Sequence, residues 1–206
     1  MAVANYQSQN NHLPQPYGPG GDQAKPYSWR IAILPFIAQD DLFKKYQRND
    51  AWDGTDNSQL AASMPRTFAS HGDYKAGLTT TNYLVIVGSK TAWPPNKRVS
   101  FRDIKDGPSN PFAIVENRGL NIHWMEPRDL DFDTMDWQID SPRGISSKYE
   151  RPGAVMFDGH VQSLSKEFTP EALKALATIA DGDWAAEDGQ LMTEMRDGRD
   201  RPVTKP

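Results

Sequence analysis

Hydrophobic positions near the N-terminus follow helical spacing, and polar segments between them mark connections. Residues 1–9 carry apolar side chains three positions apart, which predicts a short helix. Residues 27–47 continue this spacing, but Pro35 should end one helix and let a second begin near Asp40. Residues 10–26 contain several prolines and glycines and predict an exposed, irregular connection.

Extended patterns dominate the middle of the chain. Residues 79–87 are rich in β-branched and apolar side chains on both faces and predict a central strand. Residues 112–116 predict a second strand, and residues 121–124 predict a short third one. Residues 153–164 predict a hairpin, because an Asp-Gly pair at 158–159 between two apolar runs favours a type I′ turn.

Two further segments predict helices. Asp56 or Asn57 suits the cap of a short helix that ends near Ala62. Thr169 suits the cap of a helix over 169–180, with Pro170 at its first position. Helical segments thus precede and follow a group of strands, and this order is typical of an α+β fold rather than of alternating βαβ units.

Composition narrows the classes of protein. The chain has 206 residues, no cysteine and a formal net charge of −4. The lack of cysteine excludes disulfides, zinc ribbons, iron–sulfur sites and thiol catalysis. The mixed, mildly acidic charge argues against a nucleic-acid partner. The longest apolar run, residues 31–38, contains a proline and is shorter than the ~20 residues of a membrane helix. The first residues also lack the pattern of a signal peptide.

An acidic segment offers the best candidate for a site. Asp129, Asp131 and Asp133 alternate along the chain, so in an extended conformation their carboxylates would face one side together. Three carboxylates in this arrangement predict a site for a hard cation such as Ca²⁺. The alternative is a solvated acidic loop that Leu130 and Phe132 anchor to the core. No other cofactor is indicated.

Motifs of catalysis are missing from the chain. The four histidines do not pair at metal-binding spacing, and no nucleophile elbow, phosphate-binding loop or dinucleotide motif occurs. The chain is therefore not expected to be an enzyme. The tryptophans suit a core or a subunit contact, and a glycan-binding surface is the alternative. They are Trp29, Trp52, Trp93, Trp124, Trp137 and Trp184.

Several sequence blocks in a fixed order resemble one family. The blocks are N-Y at 5–6, L-P at 13–14, S-W-R-I-A-I-L-P-F-I at 28–37, D-D-L-F at 40–43, A-W-D at 51–53, T-N-Y-L-V-I-V-G at 81–88, F-R-D-I-K-D-G-P-S-N at 101–110, W-M-E-P-R-D-L-D-F-D at 124–133 and G-A-V-M-F-D-G-H-V-Q-S-L at 153–164. This set resembles the prepilin-like family known as domain of unknown function 1559, which is expanded in planctomycetes.

The resemblance implies a pseudopilin-like architecture. Members of this family typically begin with an apolar helix that anchors and polymerises the subunit, and a small, mostly antiparallel sheet with packed helices follows as a head. The printed sequence does not include such an apolar helix, and the resemblance implies that its first residues correspond to the last turns of that helix. We therefore expect residues 1–26 to be a remnant of that helix with its connection, residues 27–183 to form the α+β domain, and residues 184–206 to form a polar tail.

Two departures from the family pattern stand out. Members commonly carry Cys-Pro-Ser after a Met-Pro pair, whereas residues 64–70 here read M-P-R-T-F-A-S. Many members also carry a histidine nine residues before the Asp-Gly pair, and Lys148 stands at that position here. The family gives no catalytic residues that could be transferred to this chain.

These observations predict a non-enzymatic structural protein. We expect the head of a pseudopilin-like subunit in a filament or a type II secretion-like envelope apparatus, with protein partners that include further copies of the chain. The alternative is an extracellular module that binds glycan or calcium. The expected location is the cell envelope or the extracellular space if the chain is anchored upstream, and the chain as given is expected to be soluble.

Overall fold

The computed structural model describes residues 1–18, 25–185 and 191–193. The α-helices in this part of the chain are short, and they are α1 (Ala2–Asn10), α2 (Trp29–Ala32), α3 (Asp40–Lys45) and α4 (Pro170–Ala175). The 3₁₀ helices are Leu34–Ile37, Asn57–Ser63, Arg66–Phe68 and Phe101–Asp103. The strands are β1 (Tyr83–Leu84), β2 (Ile86–Val87), β3 (Phe112–Glu116), β4 (Leu130–Asp131), β5 (Gly153–Met156), β6 (Val161–Ser163), β7 (Asp183–Ala185) and β8 (Leu191–Thr193).

The strands form one main sheet and two small ones. The main sheet has four strands in the order β1-β3-β5-β6, and all neighbouring strands in it are antiparallel. β2 pairs with β4 in parallel, and β7 pairs with β8 antiparallel. Helices pack around the main sheet, so the predicted α+β fold with a small, mostly antiparallel sheet is confirmed.

Pro35 interrupts the first helical segment as the sequence predicts. α2 ends at Ala32, the Leu34–Ile37 3₁₀ helix has Pro35 in its first turn, and α3 begins at Asp40. Proline has no amide hydrogen for an α-helical hydrogen bond, which is why the chain changes helix type there. The side chain of Ser28 caps α2 by accepting a hydrogen bond from the Arg30 amide.

The connection after α1 is not exposed over its described part. Leu13 is 2% exposed, and its amide donates a 2.7 Å hydrogen bond to the carbonyl of Val99. Pro14, Pro16 and Gly18 are buried as well. The prediction of an exposed connection is therefore wrong for residues 13–18, because Leu13 anchors this irregular segment in the core. Residues 19–24 lie outside the described residues.

The predicted central strand over 79–87 divides into two short strands. β1 lies at one edge of the main sheet, whereas β2 belongs to the parallel pair. Alternate residues enter different parts of the core: Leu84 packs in a cluster with α4, and Val85 packs in a cluster with the N-terminal helices. The segment is apolar on both faces because it runs between these two clusters, and it need not be central in the sheet.

The predicted strand over 121–124 does not form. Asn121 adopts a left-handed conformation, with φ 48°, and this interrupts the extended backbone that a strand requires. A single bridge links His123 to Thr80. Ile122 and Trp124 are nevertheless fully buried.

The predicted hairpin forms, but its turn is of another type. β5 and β6 pair antiparallel, and the amide of Gly159 donates to the carbonyl of Met156. Gly159 has φ 94°, whereas Asp158 does not have positive φ, which a type I′ turn would need. The connection is therefore a type I turn followed by a left-handed glycine, and the type I′ prediction is wrong.

Two helix predictions hold at their starts and fail in length or type. Thr169 caps α4 by accepting from the Ala172 amide, but the helix ends at Ala175 rather than at 180. After Ala175 the amides of Ala177 and Thr178 donate to carbonyls three residues back, and the Leu176 carbonyl accepts from the Phe112 amide of β3. Residues 57–63 form a 3₁₀ helix without a side-chain cap.

β7 and β8 lie beside α4, and the rest of the predicted tail lies outside the described residues.

Candidate functional site

A groove runs along one face of the main sheet. Its volume is about 490 Å³, and it is open to solvent along one side. The residues that line it come from the sheet, from the helical segment before Gln39, from the Arg66–Phe68 3₁₀ helix and from Arg151 just before β5. They are Trp29, Ile33, Ile37, Thr67, Phe68, Tyr83, Ile114, Glu116, Arg151, Gly153, Val155 and Val161.

The sheet supplies the floor of the groove. Ile114, Val155 and Val161 lie side by side in one row across β3, β5 and β6, because the strand register pairs them. The opposite face of the same strands, which includes Val115 and Ala154, packs against α4. Antiparallel sheets with a solvated face usually carry polar residues on that face. In this sheet both faces carry apolar side chains, so we expect both faces to be covered rather than solvated.

The helical segment forms one wall of the groove. Ile33 and Ile37 face the cavity from the turn after α2 and from the following 3₁₀ helix, and Trp29 and Phe68 lie deeper. Trp29 and Phe68 pack edge to face, with ring centroids 6.4 Å apart. Trp29 is 1% exposed, whereas Val161 on the far side is 66% exposed. The lining therefore ranges from a buried aromatic pair to an exposed aliphatic side chain.

Two charged residues stand among the apolar lining. Glu116 is buried, and its carboxylate accepts hydrogen bonds from the Ser70 hydroxyl at 3.0 Å and from the Gly153 amide at 2.7 Å. Arg151 is exposed at the rim and forms no ion pair with another residue in the described part of the chain. The carboxylate is thus engaged within the fold, and the guanidinium is available to a ligand.

A narrow polar cleft adjoins the groove at Glu116. Ser70 and Lys148 both line it, so the end of the 64–70 segment lies close to Lys148. The ammonium of Lys148 lies 2.8 Å from the carboxylate of Asp73. This hydrogen bond raises the pKa of Lys148 above its ordinary value. Lys148 therefore lies within a packed polar cluster with Asp73 and Ser70.

Asp129, the first residue of the predicted calcium set, lies in a buried ion pair. One of its carboxylate oxygens lies 2.6 Å from the Arg30 guanidinium, and both side chains have no solvent exposure. The same oxygen accepts from the Trp29 indole at 3.2 Å and from the Val85 amide at 3.0 Å. Burial raises the pKa of the Asp129 carboxyl, while Arg30 and the Val85 amide oppose that rise.

Asp131 and Asp133 lie elsewhere, on the surface. The Asp131 carboxylate accepts from the amides of Asp133 and Thr134 at 3.1 and 3.0 Å, which is the pattern of an Asx turn. The expectation that the three carboxylates face one side together is wrong for Asp129, because it pairs with Arg30 in the core. No group of three or more His, Asp or Glu that could hold a metal ion is found within the described residues. Calcium binding stays a prediction.

Three tryptophans serve the core. Trp29, Trp93 and Trp124 are at most 1% exposed, and Trp52 and Trp137 are half-buried. The side chain of Trp184 lies outside the described residues. Trp52 packs against His123 in a tilted arrangement, with ring centroids 4.9 Å apart. The aromatic content thus mainly stabilises the fold.

His123 should make the stability of the fold depend on pH. Burial lowers the pKa of His123, against the opposing influence of Glu126 and Asp53. The Met125 amide also donates to its Nδ1 at 3.2 Å, which requires that this nitrogen is unprotonated. As pH falls through about 6.5, the unfolded chain binds a proton first, so the free energy of unfolding should decrease.

Urea unfolding between pH 7.5 and 5.5 measures this dependence. The contribution of one group cannot exceed about 1.4 kcal/mol per pH unit. His123→Asn keeps an acceptor for the Met125 amide and should flatten the profile, whereas the same change at the exposed His71 should leave it unaltered. If the free energy of unfolding of the His123→Asn variant changed with pH as steeply as that of the unchanged chain, the assignment of this dependence to His123 would be contradicted.

The groove was not predicted from the sequence. Its signal was present in residues 112–116 and 153–157, which are apolar at successive positions and so indicate strands covered on both faces. Arg30, Glu116 and Arg151 carried no local signal, because their partners and their positions depend on distant segments.

The comparisons with known proteins support a family and no activity. In the described part of the chain, no helix combines the length and apolar character needed to cross a membrane. No curated protein and no solved structure matches the chain. One family model, described as a protein of unknown function (DUF1559), matches residues 1–199. Because this match covers nearly the whole sequence, the chain belongs to that family, as its sequence blocks indicated.

Proposed function

We propose that the chain is a non-enzymatic structural subunit that works by association with neighbouring protein. In this proposal it is the head of a pseudopilin-like subunit in a filament or a secretion-type envelope apparatus. The observation that carries the proposal is the apolar outer face of the main sheet, which continues to the edge strand β6. A surface of this kind is typical of contacts between proteins.

The edge strand strengthens this proposal. β6 pairs with β5 on one side, and its other side pairs with no strand among the described residues. Unpaired edges favour the addition of a further strand, and natural proteins usually protect them with charges. Val161 instead places an aliphatic side chain, 66% exposed, at this edge. The edge therefore suits contact with another copy of the chain.

Val161→Lys tests homotypic assembly. We expect the mass measured by light scattering to rise with concentration for the unchanged chain and to stay monomeric for the variant. A lysine would place a charge in the contact and oppose strand pairing. The fold should survive, because Val161 is exposed and contributes little to the core.

Gln59→Lys provides the matched control. It adds the same charge at an exposed position that does not line the groove, so assembly should persist. A strict monomer of the unchanged chain at high concentration would contradict homotypic assembly. Equal assembly of the Val161→Lys variant would exclude this edge as the contact.

A further inference from the structure

We propose that the groove binds the alkyl chain of a long-chain carboxylate and that Arg151 holds the carboxylate at the rim. This inference goes beyond the proposed function, because it concerns a small ligand of a single subunit. A monomer could bind such a ligand, and an assembling subunit could lack it.

The size and lining of the groove fit an alkyl chain. Its volume of about 490 Å³ lies within the range of roughly 300–1,000 Å³ that is typical of small-ligand sites. Most of the lining is aromatic or aliphatic, from the buried Trp29 to the exposed Val161. An alkyl chain would cover this surface without a need for hydrogen bonds.

A peptide backbone fits the inner groove less well. An extended peptide would bring amide and carbonyl groups that need partners when they leave water. The central strands β3 and β5 have neighbours on both sides, so their backbone groups are engaged in the sheet. Few polar side chains line the cavity, namely Thr67, Tyr83, Glu116 and Arg151.

Charge sets the direction of the ligand. The Glu116 carboxylate is buried and accepts from Ser70 and from the Gly153 amide, so a second carboxylate close to it would be repelled. Arg151 is exposed at the rim and has no ion-pair partner among the described residues. An anionic head is therefore favoured at Arg151, with the alkyl chain along Ile114 and Val155.

Gly153 offers a way to fill the groove without strain. Its backbone does not have positive φ. A Cβ atom added there would lie 3.7 Å from the nearest atoms of Glu116 and Val161, which is an ordinary contact distance. Valine is favoured in strands, and its side chain would occupy the space next to these two lining residues. Gly153→Ala should therefore fold, and Gly153→Val adds two further methyl groups that should exclude a ligand.

Isothermal titration calorimetry with decanoate and dodecanoate, both kept below micelle formation, tests the proposal. We expect one site per chain and about fourfold tighter binding for each added methylene. Decanoate should bind up to about fivefold more tightly than decanol, because the contact with Arg151 is exposed. Decyltrimethylammonium should bind more weakly than either.

Three variants locate the site. Gly153→Val should weaken decanoate binding at least tenfold while circular dichroism and the melting temperature stay native. Arg151→Ala should remove the preference for decanoate over decanol and leave decanol binding unchanged. Arg102→Ala, at another exposed arginine that does not line the groove, should change neither.

A measurement on the unchanged chain keeps the test independent of folding of the variants. A nitroxide-labelled fatty acid should broaden the methyl NMR signals of Ile114 and Val155. It should broaden Leu173 less, because Leu173 packs on the opposite face of the sheet.

Three results would overturn the inference: no binding of decanoate or dodecanoate, unchanged binding by folded Gly153→Val, or equal affinity for the ammonium compound.

Light scattering of the same samples separates the two proposals. Ligand binding by a strict monomer would contradict the proposed assembly and leave this inference intact. Assembly without ligand binding would contradict this inference and leave the proposed assembly intact.

Discussion

Asp129→Ala is expected to lower the free energy of unfolding by about 3–5 kcal/mol, because it leaves the buried Arg30 guanidinium without its counter-charge. The two side chains are 2.6 Å apart with no solvent exposure. Arg30 would keep hydrogen bonds to the Tyr83 carbonyl and to the Ser28 hydroxyl, but these acceptors carry no formal charge. Chemical denaturation at neutral pH measures the change.

A control and a double variant sharpen this prediction. Asp133→Ala removes a carboxylate from the same acidic segment at an exposed position, so its effect should stay within about 0.5 kcal/mol. Arg30→Met combined with Asp129→Leu removes both charges, so its cost should lie well below the sum of the two single changes. Equal stability of the Asp129→Ala and Asp133→Ala variants would contradict a structural role for the pair.

Trp93→Ala should destabilise the fold by about 3–5 kcal/mol through the cavity that it leaves. Trp93 is 1% exposed and packs against Trp29, with ring centroids 5.6 Å apart. Its indole nitrogen also donates a 3.0 Å hydrogen bond to the Ala113 carbonyl in β3. The substitution would therefore remove a packing contact and a hydrogen bond that link α2 to β3.

Two further variants test whether lost packing at Trp93 causes the expected destabilisation. Trp93→Phe keeps an aromatic ring but loses the hydrogen bond to Ala113, so the loss should be smaller than for alanine. Trp52→Ala removes an indole that is half-buried, and its effect should also be smaller. Thermal and chemical unfolding measure the loss of stability in each variant. A larger loss of stability for Trp52→Ala than for Trp93→Ala would contradict the central role of Trp93 in the core.

Predictions from the sequence succeed where short-range interactions decide the structure. Pro35 interrupts the first helical segment because it lacks an amide hydrogen, and Thr169 begins α4 because its side chain reaches the Ala172 amide. The hairpin at 153–164 forms because its turn and its apolar strands are adjacent in the chain. The turn type differed because Asp158 keeps negative φ and a third residue enters the loop.

Long-range contacts explain where the predictions fail. The residues over 79–87 run between two core clusters, so an apolar pattern on both faces arises without a central strand. Leu13 packs into the core, although its neighbours have the composition of an exposed loop. Each of these outcomes depends on segments far away in the chain, and local propensity carries no information about them.

The amino-acid sequence alone determined the family, the α+β class and most helix and hairpin starts, because these follow from residue patterns within a few positions. The candidate sites depended on the packing of distant segments. Arg30 and Asp129 are 99 positions apart, and their pairing turned a predicted cation ligand into part of the core. The groove likewise exists because helices, the residues before β5 and four strands meet around one sheet face, and that meeting is a property of the folded chain.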